Sequence, residues 1–227
     1  MRHTKKILLA TVFFTASAAR ALDCSPPETR DLVGFWETRE TSRGGIGHAL
    51  ELRPDGTYVE ATTVLVNGAY RVAGDRLIIG ETLGALEGDK AAAASRFEIQ
   101  GDTLIQTSPD GSKLEKKRLG KADEGRPAIE GAWRYRHDTG VTAFEKYTPD
   151  GRLLFRLPMT SSTGCYKIAG ARITFNSPGH KEKTVTFKTR SGDLVLRNSG
   201  KPDAVYGLAE AGPWYDREPI DVGRPKD

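Results

Sequence analysis

The chain repeats itself. Four short blocks in the first half return in the same order in the second half, roughly 96 residues later. They are Gly-x-Trp (34–36 and 131–133), Pro-Asp-Gly (54–56 and 149–151), Gly-x-Tyr (68–70 and 164–166) and Gly-Asp (101–102 and 192–193). Because four blocks in one order and nearly one register are improbable by chance, the sequence predicts a duplicated structural unit.

Each copy alternates polar and apolar residues with a period of two, in short stretches rich in Val, Ile, Thr, Tyr and Phe. Pro-Asp-Gly and Gly-Asp pairs, which favour tight turns, separate these stretches. The first copy therefore predicts eight strands, at 34–41, 46–53, 57–66, 69–73, 76–80, 95–100, 103–108 and 112–119. The second copy predicts a similar number from 131 to about 210, with its last strand near Ala204–Leu208. One short segment, 88–95, is the single helical candidate.

Sequential hairpins without a long crossover describe an up-and-down meander, and a meander of eight strands can close on itself and remove its edges. We therefore predict an all-β fold of two tandem small antiparallel up-and-down barrels, at 32–121 and 129–212. The polar segment 122–128 reads as a linker between them. An N-terminal segment, 22–31, precedes the first barrel and a C-terminal tail, 213–227, follows the second.

Residues 1–21 predict a secretory signal peptide. They have a basic start, an apolar run from Ile7 to Phe14 and a small-residue ending, Ala19-Arg20-Ala21. The apolar run is too short to span a bilayer, and a cleavage-like A-x-A follows it. We expect a periplasmic or secreted protein without a membrane span.

Charge argues against a nucleic-acid partner. The chain has 34 basic and 30 acidic residues, and cleavage after residue 21 removes four basic residues and no acidic one. The mature chain is then near neutral, whereas phosphate binding needs a basic excess or stripe. The one dense basic cluster, Lys113–Lys121, reads as a solvated edge strand plus linker, since lysines protect sheet edges from pairing.

Two cysteines, Cys24 and Cys165, remain after cleavage. An oxidising compartment would allow one disulfide, which would tie the N-terminal segment to the second copy. The alternative is that Cys165 is a buried thiol and Cys24 is free.

The sequence indicates no metal site and no cofactor. The remaining histidines, His48, His137 and His180, occupy non-equivalent positions in the two copies and are expected at the surface or in turns. Neither H-E-x-x-H nor G-x-S-x-G occurs, and carboxylates such as Glu37 and Glu40 read most simply as solvated charges. No catalytic residue is predicted, and an enzyme remains an uncertain third possibility.

The ordered blocks resemble the lipocalin-like domains of secreted bacterial proteins, within the calycin barrels, from residue 32 to about residue 208. In lipocalins the Gly-x-Trp tryptophan plugs the closed end of the barrel. An arginine near the last strand lies across its ring, a cation–π contact of about 0.5–2 kcal/mol.

The resemblance assigns barrel closure to particular residues. It implies this role for the two Gly-x-Trp motifs, which are Gly34 with Trp36 and Gly131 with Trp133. Arg118 is then the arginine of the first copy. In the second copy Tyr206 stands in the corresponding segment.

The resemblance implies an exported protein that binds a small apolar or amphipathic ligand, although the sequence identifies no ligand-binding residue. The alternative is a cell-envelope structural or protein-interaction module with filled barrels, whose tail, with Trp214 and Tyr215, meets a protein partner. A cavity of about 300 Å³ or more favours the ligand. Two packed interiors favour the interaction module, and a cavity in which two titratable groups face one another favours an enzyme.

Overall fold

The computed structural model describes residues 24–28, 31–80, 94–121 and 127–209. This part of the chain forms fourteen antiparallel strands and contains no helix. The predicted signal peptide, the tail at 213–227 and most of the helical candidate at 88–95 lie outside the described residues.

The all-β prediction is confirmed. The first copy supplies seven strands: β1 Gly34–Thr38, β2 Ile46–Leu52, β3 Thr57–Ala73, β4 Arg76–Gly80, β5 Ser95–Gln100, β6 Thr103–Thr107 and β7 Lys113–Leu119. The second copy supplies the other seven: β8 Gly131–Arg136, β9 Thr142–Tyr147, β10 Arg152–Ala169, β11 Arg172–Asn176, β12 Lys183–Arg190, β13 Asp193–Arg197 and β14 Ala204–Leu208. The segments 57–66 and 69–73, predicted as separate strands, form the single strand β3 of 17 residues, and its counterpart β10 has 18.

The strands pair in chain order into one ring-like sheet, which closes where β1 pairs with β14. β7 pairs with β6 on one side and with β8 on the other. The basic segment from Lys113 is therefore not an edge strand. Most of the predicted linker 122–128 lies outside the described residues, and the strands before and after it, β7 and β8, are neighbours in the same sheet.

A long ladder between β3 and β10 crosses the ring. It runs from the pair Ala69 and Arg152 to the pair Thr57 and Cys165, with a register shift between residues 158 and 160. On their outer edges β3 pairs with β2 and β4, and β10 pairs with β9 and β11. The ladder thus defines a first circuit of β1, β2, β3 and β10–β14, and a second circuit of β3–β10.

The sequence predicted one separate sheet over 32–121 and another over 129–212. The observed pairing differs, because each circuit contains strands from both copies.

The buried side chains follow the circuits. The first core contains Leu32, Trp36, Leu50, Leu52, Tyr58, Tyr166, Ile168, Ile173, Phe175, Val185, Leu194 and Tyr206. The second core contains Tyr70, Leu77, Leu104, Ile129, Trp133, Tyr147 and Leu153.

The Gly-x-Tyr motifs explain this exchange of strands, in which each circuit combines strands of both copies. The Tyr70 hydroxyl donates a hydrogen bond to the Thr148 carbonyl at 2.9 Å, in the Pro-Asp-Gly turn of the second copy. The Tyr166 hydroxyl donates to the Arg53 carbonyl at 2.8 Å, in the turn of the first copy. The backbone N–H of each tyrosine also donates to the glycine carbonyl of that same turn, at 2.8 Å in both cases. The recurring motifs therefore mark contacts that each copy makes with the other.

Cys24 and Cys165 form a disulfide, as one of the two sequence hypotheses expected. The bond ties the N-terminal segment to β10. A Cβ atom built on Gly56 would lie 2.0 Å from the Ser25 carbonyl oxygen, so this segment lies directly on the turn between β2 and β3. No helix long and apolar enough to cross a membrane occurs in the described residues.

Candidate functional site

The two Gly-x-Trp motifs build the same contact twice. The Trp36 indole N–H donates to the Leu32 carbonyl at 3.0 Å, and the Trp133 indole N–H donates to the Ile129 carbonyl at 2.8 Å. Both tryptophans are buried. A buried indole N–H needs an acceptor, and in each copy the residue four positions earlier supplies it.

Arg118 lies over the ring of Trp133, with its guanidinium carbon 4.0 Å from the ring centroid. Its Nη1 donates to the Glu130 carbonyl at 2.8 Å, and its Nη2 donates to the Ala128 carbonyl. The assignment of Arg118 to the first copy's tryptophan is therefore corrected. The cause is the exchange of strands, because β7 pairs with β8 and places Arg118 opposite Trp133.

The equivalent position beside Trp36 holds Leu208, not Tyr206, because Leu208 is the register partner of Trp36 on β14. A Cβ atom on Gly34 would lie 3.1 Å from Leu208 Cδ1. The first circuit thus has an aliphatic side chain where the second has a cation. Among the residues named for closure, Gly34 and Trp36 lie in the first circuit, and Arg118, Gly131 and Trp133 lie in the second.

The second circuit also contains a buried polar cluster, formed by Lys116, Glu145, Tyr147 and Tyr135. Lys116 is 1% exposed and Glu145 is 7% exposed. The Lys116 Nζ donates to Glu145 Oε2 at 2.5 Å and to the Tyr147 hydroxyl at 3.3 Å. The Tyr147 hydroxyl donates to the same Oε2 at 2.6 Å, and the ammonium lies 5.1 Å from the centroid of the Tyr135 ring.

The surroundings shift the pKa values of Lys116, Tyr147 and Tyr135. Burial lowers the pKa of Lys116, and the neighbouring Glu145 opposes that effect. Burial, followed by the charge of Glu145, raises the pKa of Tyr147 well above its usual value and also raises the pKa of Tyr135. Both phenols therefore keep their protons at neutral pH. The Lys116–Glu145 pair is therefore surrounded by neutral hydroxyl groups.

The duplication supplies an internal comparison for this cluster. Glu145 is the register partner of Trp133, and Leu50 is the partner of Trp36. The same register aligns the other positions of the two circuits. The first circuit has Leu50 for Glu145, Leu52 for Tyr147, Thr38 for Tyr135 and Tyr206 for Lys116. The fold therefore closes one circuit over uncharged residues at the positions where the other carries a charged pair.

Gln106 adds a polar atom without a partner to the second circuit. Its Nε2 donates to the Ser95 hydroxyl at 2.7 Å, whereas its Oε1 is buried and has no hydrogen-bond partner among the described residues. Gln106 is two residues from Leu104 on β6, so the two side chains share a face of the sheet. Leu104 is in turn the register partner of Lys116. The orphan acceptor thus lies on the interior face that carries the polar cluster.

A second polar feature is a cleft of about 150 Å³ beside β1, β10 and β14, with Glu37 and Arg156 in its lining. Arg156 is 4% exposed, and its Nε and Nη2 donate to the two carboxylate oxygens of Glu37 at 2.7 and 2.8 Å. The prediction that Glu37 is a solvated charge is therefore wrong. The cleft has about half the volume of the smallest typical ligand pocket. Its Arg39 is likewise paired, with Asp193 at 2.7 Å.

Two of the three histidines lie at the surface, and the third lies beside Tyr135 of the polar cluster. His48 is exposed on β2, and His180 is exposed in the turn after β11. His137 is half-buried, with its ring 6.4 Å from the rings of Tyr135 and Phe155. Within the described residues no group of three or more His, Cys, Asp or Glu side chains could hold a metal ion.

Sequence reasoning missed the polar cluster because Lys116 stands in a run of lysines. The signal that identifies it is the alternation along β7, which places Leu114, Lys116 and Arg118 on one face. Leu114 is half-buried and Lys116 is buried, whereas Glu115 and Lys117 between and beyond them are exposed. A lysine flanked at both i−2 and i+2 by interior residues is itself an interior residue.

No family model, curated protein or solved structure matches this chain.

Proposed function

We propose that this chain is an exported, lipocalin-like protein that binds a small amphipathic molecule within the second circuit. In this proposal each circuit corresponds to one small barrel, built from strands of both copies. The polar end of the ligand lies at the polar cluster. The observation that carries the proposal is the presence of Lys116 and Glu145 at positions where the first circuit has Tyr206 and Leu50.

The energetics favour a role other than folding for these charges. Removing each ion from water costs several kcal/mol, and replacing a buried ion pair by apolar residues is often neutral or stabilises a protein by about 1–4 kcal/mol. The first circuit is itself such a replacement within the same chain. A charged pair kept in one circuit alone is therefore better explained by recognition than by stability.

The same circuit offers apolar surface for the rest of the ligand. Ile79, Phe97 and Ile99 are partly buried and pack against the second core. They lie on β4 and β5, and Phe97 and Ile99 share one face of β5. A polar group beside an aliphatic and aromatic surface is the arrangement that amphipathic molecules require.

Two observations support export. The first 21 residues have the composition of a signal peptide, and Cys24 and Cys165 are joined in a disulfide. Disulfides form and persist mainly in oxidising compartments such as the periplasm and the cell exterior.

The test uses N-phenylnaphthylamine, a neutral fluorescent amphiphile, with the mature chain. We expect saturable fluorescence enhancement with a Kd of about 1–100 μM. The variant Lys116→Met/Glu145→Leu should weaken it at least about tenfold. The matched control Arg197→Met/Asp203→Leu, which removes an exposed ion pair, should leave it unchanged. Absence of saturable binding, or equal binding by both double variants, would refute the proposal.

A second candidate function, the protein-interaction module, is favoured by apolar side chains on the surface. Ile46, Val66 and Met159 are 42%, 44% and 38% exposed on the neighbouring strands β2, β3 and β10. We would accept this function instead if Ile46→Thr/Val66→Thr abolished capture of a defined envelope protein and N-phenylnaphthylamine did not bind.

A further inference from the structure

We infer that the polar end of the ligand is an uncharged group that donates and accepts hydrogen bonds, such as an alcohol or a primary amide, and not a carboxylate. This inference rests on the proposed function and specifies the class of molecule.

Charge balance at the cluster supports the inference. The Lys116 ammonium is already neutralised by Glu145, whose Oε2 lies 2.5 Å from Nζ. A ligand carboxylate near this ammonium would also lie near the Glu145 carboxylate, in a site where little water screens the repulsion. A neutral head group meets no such repulsion.

The orphan Gln106 Oε1 supports it independently. The Gln106 amide has Nε2 toward Ser95, donating to its hydroxyl at 2.7 Å, and that hydroxyl lies 3.5 Å from the Leu77 carbonyl oxygen. The carbonyl oxygen of Gln106 therefore remains as a buried acceptor. Buried acceptors need donors, and an ionised carboxylate has none. An alcohol O–H or an amide N–H supplies one.

Lys116 provides the complementary donor. An ammonium has three hydrogens, and the described hydrogen bonds of Lys116 go to two groups, Glu145 and Tyr147. The remaining hydrogen suits the oxygen of an alcohol or an amide. A head group that both donates and accepts offers a partner to Gln106 and a partner to Lys116, whereas a carboxylate offers one to Lys116 alone.

The experiment compares octanol with octanoate at pH 8 by calorimetric titration of the mature chain. We expect octanol to bind at least about tenfold more tightly than octanoate. Gln106→Leu should weaken octanol about fivefold to tenfold, since it removes the acceptor and keeps an aliphatic side chain. Gln100→Leu, at an exposed glutamine on β5, is the matched control and should have no effect. Circular dichroism confirms folding, and Gln106→Met replaces the leucine variant if that variant unfolds.

Octanoate binding as tightly as octanol, or more tightly, would overturn the inference while the proposed function stands. Octanol binding that is equal in the wild type and in the Gln106 variant would also overturn it, because any apolar pocket prefers the neutral molecule. If octanol, octanoate and N-phenylnaphthylamine all fail to bind, the proposed function falls, and this inference falls with it.

Discussion

Lys116→Met is the most informative single substitution, because it removes the ammonium and retains an unbranched side chain. The Glu145 carboxylate, 7% exposed, then loses its cation. Breaking a buried ion pair by removing one partner typically costs about 3–5 kcal/mol. The Tyr147 hydroxyl still donates to Glu145 at 2.6 Å, which offsets part of the loss. We therefore expect a decrease of about 3 kcal/mol in the free energy of unfolding.

Adding Glu145→Leu should recover most of this loss. The double variant has no buried charge at these positions, and leucine is the residue that the first circuit has at position 50. The Tyr147 hydroxyl loses its acceptor, which costs about 1–3 kcal/mol, and the gain from the removed desolvation penalty opposes that cost. We expect the double variant to recover at least about 2 kcal/mol relative to Lys116→Met.

The assay is urea unfolding at pH 7, followed by tryptophan fluorescence, with both single variants and the double variant in one cycle. The control cycle uses Arg197→Met and Asp203→Leu, whose side chains are 61% and 36% exposed. Exposed pairs contribute about 0–1 kcal/mol, so this cycle should show almost no coupling.

Two results would refute the reasoning. Additive losses in the Lys116 and Glu145 cycle would mean that the two groups do not form a coupled buried pair. A double variant no more stable than Lys116→Met would mean that the fold itself requires the charges. The recognition argument would then lose its basis.

Three further predictions concern the exchanged fold. Replacing Cys24 and Cys165 by serine should lower stability by up to about 5 kcal/mol in calorimetry, the chain-entropy value for a separation of 141 residues, and an unchanged melting temperature would contradict it. Tyr70→Phe and Tyr166→Phe should each cost about 1 kcal/mol in urea unfolding, because each removes one hydrogen bond to the other copy, and unequal effects would argue against the reciprocal contacts. Burial raises the pKa of both phenols to about 12, above the value near 10 of an unfolded chain, so their contribution to stability is complete below pH 10 and declines as the pH rises toward 12. The wild-type urea midpoint should therefore fall more steeply above pH 10 than that of the double phenylalanine variant, and parallel curves would exclude this linkage.

The sequence predicted the strands well because alternation and turn residues act locally. Most strands begin or end within a few residues of the expected positions, and the predicted last strand, Ala204–Leu208, is present. The exception is the break expected near Asn67 and Gly68. Both residues pair with β10 in the long ladder, and this tertiary pairing keeps the strand extended through residues that otherwise favour a turn.

The exchange between the copies could not be predicted, because the local signals are the same in both arrangements. If each copy closed on itself, Tyr70 in the first copy and Trp133 in the second would be buried just as they are in the exchanged circuit. The choice depends on which turn each tyrosine reaches, and both turns have the sequence Pro-Asp-Gly. The assignment of Arg118 to the wrong tryptophan follows from this one ambiguity.

The glycines of the two Gly-x-Tyr motifs show a further limit of sequence reasoning. A Cβ atom on Gly164 would lie 2.1 Å from the Asn176 carbonyl oxygen, and one on Gly68 would lie 2.8 Å from the Gly80 carbonyl oxygen. The motif Gly-x-Tyr is thus explained by a close approach of two backbones. The sequence marks the position of this requirement, and the strand that makes the approach is evident only in three dimensions.

The pairing of β1 with β14 has a consequence for how the protein is made. β1 can pair with β2 soon after both are synthesised, but its other neighbour, β14, follows only after nearly the whole chain. Strands that are far apart in the sequence pair slowly, because the chain loses entropy when they are brought together before their contact contributes any stability. Until then Trp36 and the apolar residues beside it remain exposed to any chaperone that escorts the nascent polypeptide.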